Sequence, residues 1–101
     1  MKAEYLELPL VKNDETHRFE LTVSGHTAFI DFKERHGKIW LIHTESPEEL
    51  QGKGVATALI EKTLDYLEAN RFEMIPLCPL VVAYLQKHPE WNRIVAAGHS
   101  N

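Results

Sequence analysis

With 101 residues, the chain has room for about one domain with one hydrophobic core. Hydrophobic residues make up 44% and charged residues 26% of the sequence, which is typical of folded globular domains and not of disordered chains. The net charge of -4 argues against general nucleic-acid binding, because such binding depends on clustered lysine and arginine side chains.

The chain carries a single cysteine, Cys78, so no disulfide can form within it, and a reducing compartment is the simpler assumption. Glu4 and Glu7 fall where a signal peptide needs an unbroken apolar run, and no later run is long enough to span a membrane. We therefore expect a cytoplasmic protein without membrane contact, and we expect it to be a monomer.

The first part of the chain alternates apolar and polar residues over 6–10, 19–23 and 28–32, which predicts strands with one buried face. Short turn sequences separate these runs: Asn13-Asp14, Ser24-Gly25 and His36-Gly37. Such turns predict hairpins between antiparallel neighbours. Residues 38–44, KIWLIHT, are apolar on both faces, which indicates a strand in the middle of the sheet with both faces covered.

After residue 54 the apolar spacing becomes helical, which predicts a helix of about 15 residues ending near Asn70. Residues 72–78, FEMIPLC, then read as a buried strand. Pro79 suits the first turn of a second, shorter helix, which Pro89 would end. The tail 96–101, AAGHSN, has nothing to bury, and we expect it to be disordered.

The predicted order is four strands, a helix, a strand and a helix in one domain spanning 1–101. The strand-helix-strand segment between residues 38 and 78 predicts a right-handed parallel unit in an otherwise antiparallel sheet. The expected fold class is therefore mixed α/β (α+β), with one mostly antiparallel sheet and flanking helices.

Two glycines, Gly52 and Gly54, stand at the predicted start of the long helix. A helix N-terminus has unpaired N–H groups and attracts anions, and glycines let the backbone approach a phosphate closely. The same glycines could instead serve only the turn from strand to helix. The spacing excludes a GxxxxGK[ST] phosphate loop, and Thr57 stands where a GxGxxG motif needs its third glycine.

The run QGKGVA, Gln51 to Ala56, matches the motif [QR]-x-x-G-x-[GA], and PLCP with AYL and HPE follows between Pro76 and Glu90. With these motifs the chain resembles the GNAT superfamily of acyl-CoA-dependent N-acyltransferases, and within it the small one-domain branch labelled GNAT-like or YjdJ-type. The resemblance is strong over residues 38–91 and loose over the leading hairpins. It implies a mixed sheet with flanking helices.

The resemblance implies that acetyl-CoA is the co-substrate. Its diphosphate would lie on backbone amides of the glycine loop, and its pantetheine arm would run between two splayed parallel strands ending at Thr44 and Cys78. The implied cofactor-binding residues are Thr44, Gln51, Gly52, Lys53, Gly54, Val55, Ala56 and Thr57.

Acetyl transfer to an amine needs a neutral amine, a donor to the carbonyl oxygen and an acid for the departing thiolate. Backbone N–H groups near His43 to Glu45 are the candidate donors. His43 and Glu45 lie on the same side of the strand and are candidate bases. Alternatively, His43 is a half-buried side chain bonded to backbone, and Glu45 a loop carboxylate near the helix dipole.

Cys78 matches the cysteine of the small-branch motif and ends a strand just before a helix, a position that favours the thiolate. It would be a nucleophile that takes the acetyl group, or a polar neighbour of the thioester in direct transfer. It could also be a small buried hydrophobe. Tyr84 matches the tyrosine with which many larger GNAT enzymes protonate the leaving thiolate, although packing would explain it equally well.

These features predict an N-acetyltransferase that moves an acetyl group from acetyl-CoA to a primary amine. Helices that usually form an acceptor pocket are missing, since Lys12 to Thr16 is only a turn, so a protein lysine or N-terminus would suit as acceptor. The alternatives are a non-catalytic CoA-binding module that docks on a partner protein and a structural interaction domain. No CxxC, HxxxH or GxSxG motif supports a metal site or a serine hydrolase.

Overall fold

A computed structural model of the chain describes residues 1–98. The elements in chain order are helix α1 (Ala3–Leu6), strands β1 (Val11–Asn13), β2 (Arg18–Val23), β3 (His26–Arg35) and β4 (Lys38–Glu45), helix α2 (Val55–Ala69), strand β5 (Glu73–Pro76) and helix α3 (Pro79–Lys87). Short 3-10 helices lie at Glu48–Leu50, between β4 and α2, and at Pro89–Ile94, after α3.

The five strands form one sheet in the order β1-β2-β3-β4-β5. The first three pairings are antiparallel, and β4 pairs with β5 in parallel. Helix α2 connects the two parallel strands, because a parallel pair needs a crossover connection. The predicted mixed fold, with one parallel strand-helix-strand unit in a mostly antiparallel sheet, is confirmed.

The core lies between the sheet and α2. Alternate residues of the inner strands are fully buried, among them Leu21, Ile30 and Leu41, and they pack in one cluster with Leu59 and Leu64 of the helix. Helix α2 has the 15 residues that its apolar spacing predicts, and Asn70 is its C-cap. Pro79 opens α3, as predicted.

Strand β4 is an inner strand, but the prediction that both its faces are covered is wrong. Ile39 and Leu41 are buried against the core, whereas Trp40 is only partly buried and Ile42 is 43% exposed. The reason is that successive side chains of a strand point to opposite faces, and α2 covers only the face of Ile39 and Leu41. On the opposite face, Trp40 is partly covered by a side chain of the neighbouring strand β3: the Lys33 Nζ lies 6.0 Å from its ring centroid.

The predicted first strand, residues 6–10, is also wrong. Helix α1 covers Ala3–Leu6, and the first strand is Val11–Asn13. Leu6 is 64% exposed instead of buried in a sheet. Pro9 has no N–H to donate to a strand ladder, which explains why pairing starts after it. The buried residue of this segment is Tyr5, which is 3% exposed and packs in the core.

The C-terminal tail differs from the expectation at its first residue. Ala96 is 1% exposed, and its N–H donates to the Met74 carbonyl oxygen at 2.8 Å. Val95 next to it forms a parallel bridge with Met74, which extends the sheet beyond β5. This part of the tail is therefore packed. The expectation for residues 99–101 lies outside the described residues.

Candidate functional site

The parallel strands β4 and β5 separate at their C-terminal ends. Their pairing runs from Lys38 opposite Glu73 to Leu41 opposite Pro76 and goes no further, although β4 continues to Glu45. The N–H groups of Leu77 and Cys78 both donate to the Leu41 carbonyl oxygen, at 3.0 and 2.9 Å. The parallel ladder between the two strands therefore ends at Leu41.

A β-bulge lies at the same point of β4. On the β3 side, Asp31 pairs with His43 and Phe32 pairs with Leu41, so Ile42 has no partner in the register. A bulge bends its strand and increases the local twist. It also changes which side chains face inward, and the next buried side chain after Leu41 is Thr44 instead of His43.

The bulge brings Thr44 against Cys78. The Thr44 Oγ1 and the Cys78 Sγ lie 3.1 Å apart, within hydrogen-bond distance, and either can be the donor. Both are buried, with 7% and 2% exposure. Cys78 is the N-cap residue of α3, and Pro79 follows it. The thiol thus has a polar partner at the point where the strands separate.

His43 and Glu45 face away from the core on the same side of β4, as predicted. The His43 Nε2 lies 3.2 Å from the Glu45 Oε1, and the two side chains are 54% and 61% exposed. His43 is therefore exposed and paired with a carboxylate, in contrast to the half-buried alternative. Both lie just beyond the separation of β4 from β5.

The glycine loop ends in an open helix N-terminus. Gly54 is the N-cap of α2 with φ 75°, and the first intrahelical bond runs from the Ala58 N–H to the Gly54 carbonyl oxygen at 3.0 Å. The N–H groups of Val55, Ala56 and Thr57 therefore have no intrahelical acceptor. A glycine N-cap offers no side-chain oxygen to accept from them.

No atom of another residue lies close to the glycines of this loop on the side where a side chain would stand. A Cβ built on Gly52 or Gly54 would meet no atom within 4 Å. Both glycines have positive φ, 74° and 75°, a conformation that costs other residues energy. The exposed Lys53 lies between them.

The loop before α2 is held by its own hydrogen bonds. The N–H of Lys53 donates to the Leu50 carbonyl oxygen at 3.3 Å, and the Gln51 side-chain Nε2 donates to the Ser46 carbonyl oxygen at 2.8 Å. Leu50 is 2% exposed and anchors the loop in the core. The Gln51 side chain thus stabilises the loop by bonding to the loop's own backbone.

A groove of about 350 Å³ runs between α2 and α3 and reaches the start of α2. Helix α2 lines it with Ala56, Thr57 and Ile60; helix α3 lines it with Leu80, Ala83, Tyr84 and Lys87, together with the C-cap residue His88. Of the lining residues from Leu80 to His88, only Tyr84 was predicted from the sequence to have a role in the site. Their spacing was the available signal, since residues 80, 83, 84 and 87 share one helix face.

Tyr84 contributes a protonated phenol to this groove. Its ring stacks on His88, with the centroids 4.3 Å apart. Burial, and after it the carboxylate of Glu61, raise the pKa of Tyr84 to about 12. Tyr84 thus lines the groove between α2 and α3, whereas Cys78 has Thr44 of β4 as its hydrogen-bond partner. The two candidate catalytic residues have different neighbours.

Within residues 1–98, the structure gathers no group of three or more metal-ligating His, Cys, Asp or Glu side chains. No helix in this part of the chain combines the length and the apolar character that crossing a membrane requires.

No curated protein matches the sequence. A family model does match it over residues 18–94, well over half of the chain, and its description is GCN5-related N-acetyl-transferase. The match includes the glycine loop, both parallel strands, Cys78 and Tyr84. The protein with this open helix N-terminus and splayed strand pair therefore belongs to the GCN5-related N-acetyltransferase family.

Proposed function

We propose that this protein transfers an acetyl group from acetyl-CoA to a primary amine. One observation carries the proposal: the N-terminus of α2, whose first N–H groups have no acceptor, lies at one end of the α2–α3 groove, in a unit whose parallel ladder ends at Leu41. A long, thin ligand with an anionic group at one end suits this arrangement.

The diphosphate of acetyl-CoA would bind at the glycine loop. Residues 51–57 supply the backbone, and the N–H groups of Val55, Ala56 and Thr57 are free to donate to phosphate oxygens. The positive end of the helix dipole and the exposed Lys53 favour a negative charge there. The pantetheine arm would then extend past Thr44 toward Cys78.

The separated end of β4 would stabilise the transition state. Beyond Leu41 this strand has no ladder partner on the β5 side among residues 1–98, so backbone N–H groups near His43 to Glu45 are available to the thioester carbonyl oxygen. Donors already fixed in place stabilise a developing oxyanion without reorganisation. His43 or Glu45 would take the proton from the attacking amine, directly or through a water molecule.

Two routes lead from this geometry to product. In direct transfer, the amine nitrogen attacks the thioester carbonyl, the C–S bond breaks and the CoA thiolate leaves. In the covalent route, the Cys78 thiolate attacks first, CoA leaves as the thiol, and the amine then displaces Cys78 from the acetyl group. The protonated phenol of Tyr84 is the candidate acid for the thiolate in either route.

The acceptor is proposed to be a protein lysine or N-terminus. The connection from β1 to β2 holds no helix, so no element inserted there encloses an acceptor pocket. The outward side of β4 and the following loop carry the exposed carboxylates of Glu45, Glu48 and Glu49. These charges favour a cationic peptide over an anionic one.

The test measures release of free CoA thiol from acetyl-CoA in the presence of lysine-containing peptides. We expect release above the protein-free control, and a lower rate in Cys78→Ala or Tyr84→Phe. An acetyl adduct in intact mass that is absent from Cys78→Ala would assign the covalent route, and its absence under rapid quenching the direct route. Calorimetric binding of acetyl-CoA without any thiol release would instead indicate a CoA-binding module.

A further inference from the structure

The N-terminal segment, residues 1–10, lies outside the residues that the family model matches. Its helix α1 nevertheless contacts the glycine loop. The hydroxyl of Tyr5 donates to the carbonyl oxygen of Lys53 at 2.9 Å, and Tyr5 is 3% exposed. This bond joins two residues 48 positions apart and ends on the backbone of the proposed diphosphate site.

The carbonyl of Lys53 belongs to the same peptide group as the N–H of Gly54. The described chain contains no cis peptide bond, and the C=O and N–H of a trans peptide point in opposite directions. A bond that holds the Lys53 oxygen toward Tyr5 therefore also fixes the direction of the Gly54 N–H. That group immediately precedes the free N–H groups of Val55, Ala56 and Thr57.

The loop needs such a restraint. Gly52 and Gly54 both lie in the left-handed region, and glycine has more backbone conformations available than any other residue. A site that is ordered before the ligand arrives does not lose affinity to the ordering of its own backbone.

The N-terminal segment that carries Tyr5 is itself held by contacts with α2 and by a hydrogen bond of its own. The Lys62 Nζ donates to the Leu6 carbonyl oxygen at 3.3 Å, and the N-terminal amine lies 3.6 Å from the Glu61 Oε1. The Tyr5 N–H donates to the Lys2 carbonyl oxygen at 3.0 Å. The hydroxyl thus reaches Lys53 from a supported position.

From these contacts we propose that Tyr5 is a positioning residue that presets the glycine loop for the diphosphate of acetyl-CoA. The proposal rests on the proposed function for the identity of the ligand. It requires that the phenol oxygen, and not only the bulk of the ring, contributes to binding. Tyr5→Phe removes that oxygen and keeps the ring.

The first measurement compares two acetyl donors. Acetyl-CoA carries the diphosphate, whereas S-acetyl-pantetheine lacks it. For Tyr5→Phe we expect kcat/KM for acetyl-CoA to fall about 5-fold, the size of one hydrogen bond, and kcat/KM for S-acetyl-pantetheine to stay unchanged. Tyr66→Phe is the matched control, because this tyrosine packs against Phe19 and Phe72, away from the loop, and should change neither value.

The second measurement needs no ligand. Amide hydrogen exchange in the free protein should become faster in Tyr5→Phe at Lys53 and Ala58, whose N–H groups donate to the carbonyl oxygens of Leu50 and Gly54, and stay unchanged in Tyr66→Phe. Unchanged exchange in Tyr5→Phe, or an equal loss with both acetyl donors, would overturn the positioning role. Failure of the wild-type protein to bind acetyl-CoA would overturn the proposed function instead, and the exchange experiment keeps the two results apart.

Discussion

The hydroxyl of Thr44 and the thiol of Cys78 lie 3.1 Å apart, just beyond the point where the pairing of β4 with β5 ends. Thr44→Val keeps the side-chain shape and removes the hydroxyl. We expect it to lower the rate of CoA thiol release about 10-fold, because the thiol loses the partner that fixes its orientation. The free energy of unfolding should also fall, by about 1–3 kcal/mol, because a buried polar group is left without a partner.

Thr44→Ser is the control for this change. It restores a hydroxyl at the same position, so it should recover most of the activity even though it removes a methyl group from a buried site. If Thr44→Val and the wild-type protein release thiol at the same rate, the Thr44 hydroxyl does not assist the reaction, and its contact with Cys78 is a packing contact.

A second prediction concerns the N-cap of α2. Gly54→Ala adds a methyl group that meets no atom within 4 Å, in a conformation that costs a non-glycine residue about 1–2 kcal/mol. We expect lower stability in denaturant unfolding. We also expect acetyl-CoA affinity to fall at least about 10-fold, because the methyl group occupies the space proposed for the diphosphate.

Gly25→Ala separates these two effects. Gly25 lies in the turn between β2 and β3 with φ 80°, and a Cβ there also meets no atom within 4 Å. The backbone strain is therefore comparable, but the site is elsewhere. Gly25→Ala should lose similar stability and keep its affinity for acetyl-CoA. Equal affinity losses in the two variants would mean that destabilisation, and not the loop, weakens binding.

Local patterns in the sequence predicted much of the fold. The apolar spacing from Val55 onward predicted α2, because a long amphipathic helix repeats its signal over several turns. The prediction of a strand at residues 6–10 was wrong, because three alternating leucines give the same pattern whether or not the segment pairs with a sheet. Tyr5 holds the N-terminal segment in place through its hydrogen bond to Lys53. A contact between residues so far apart in the sequence leaves no local pattern.

The candidate site could be predicted only in part for the same reason. The motif around Gly52 and Gly54 indicated an open loop at a helix start, and that loop is present. The contact of Thr44 with Cys78 depends on the bulge at Ile42, which shifts the alternation of β4 by one residue. Hydrophobic alternation assumes a regular ladder, so it could not show which of His43 and Thr44 turns inward.

His43 and Glu45 form an exposed pair, and separate substitutions distinguish their roles. We expect His43→Gln to lower thiol release about 100-fold near neutral pH, as loss of a general base does, and Glu45→Gln to lower it less than about 10-fold. The defect of His43→Gln should shrink as the pH approaches about 10.4, where a lysine acceptor loses its own proton. A larger effect of Glu45→Gln would assign the base to the carboxylate.

Tyr84 makes the stability of the protein depend on pH in the alkaline range. Its pKa is raised from 10.0 to about 12, by burial first and by Glu61 second. Between these values the unfolded chain has released the phenol proton, whereas the folded chain keeps it. The contribution of Tyr84 to the free energy of unfolding is therefore fully present below pH 10.0 and is lost as the pH rises toward about 12.

Tyr84→Phe removes the ionisable group and should remove this loss. Urea unfolding measured from about pH 8 to about pH 11 should show the wild-type protein losing stability relative to Tyr84→Phe as the pH rises. Tyr66→Phe keeps Tyr84 and should follow the wild-type curve. Parallel curves for the wild-type protein and Tyr84→Phe would show that the phenol ionises alike in the folded and unfolded chains, and Glu61 would then not protect its proton.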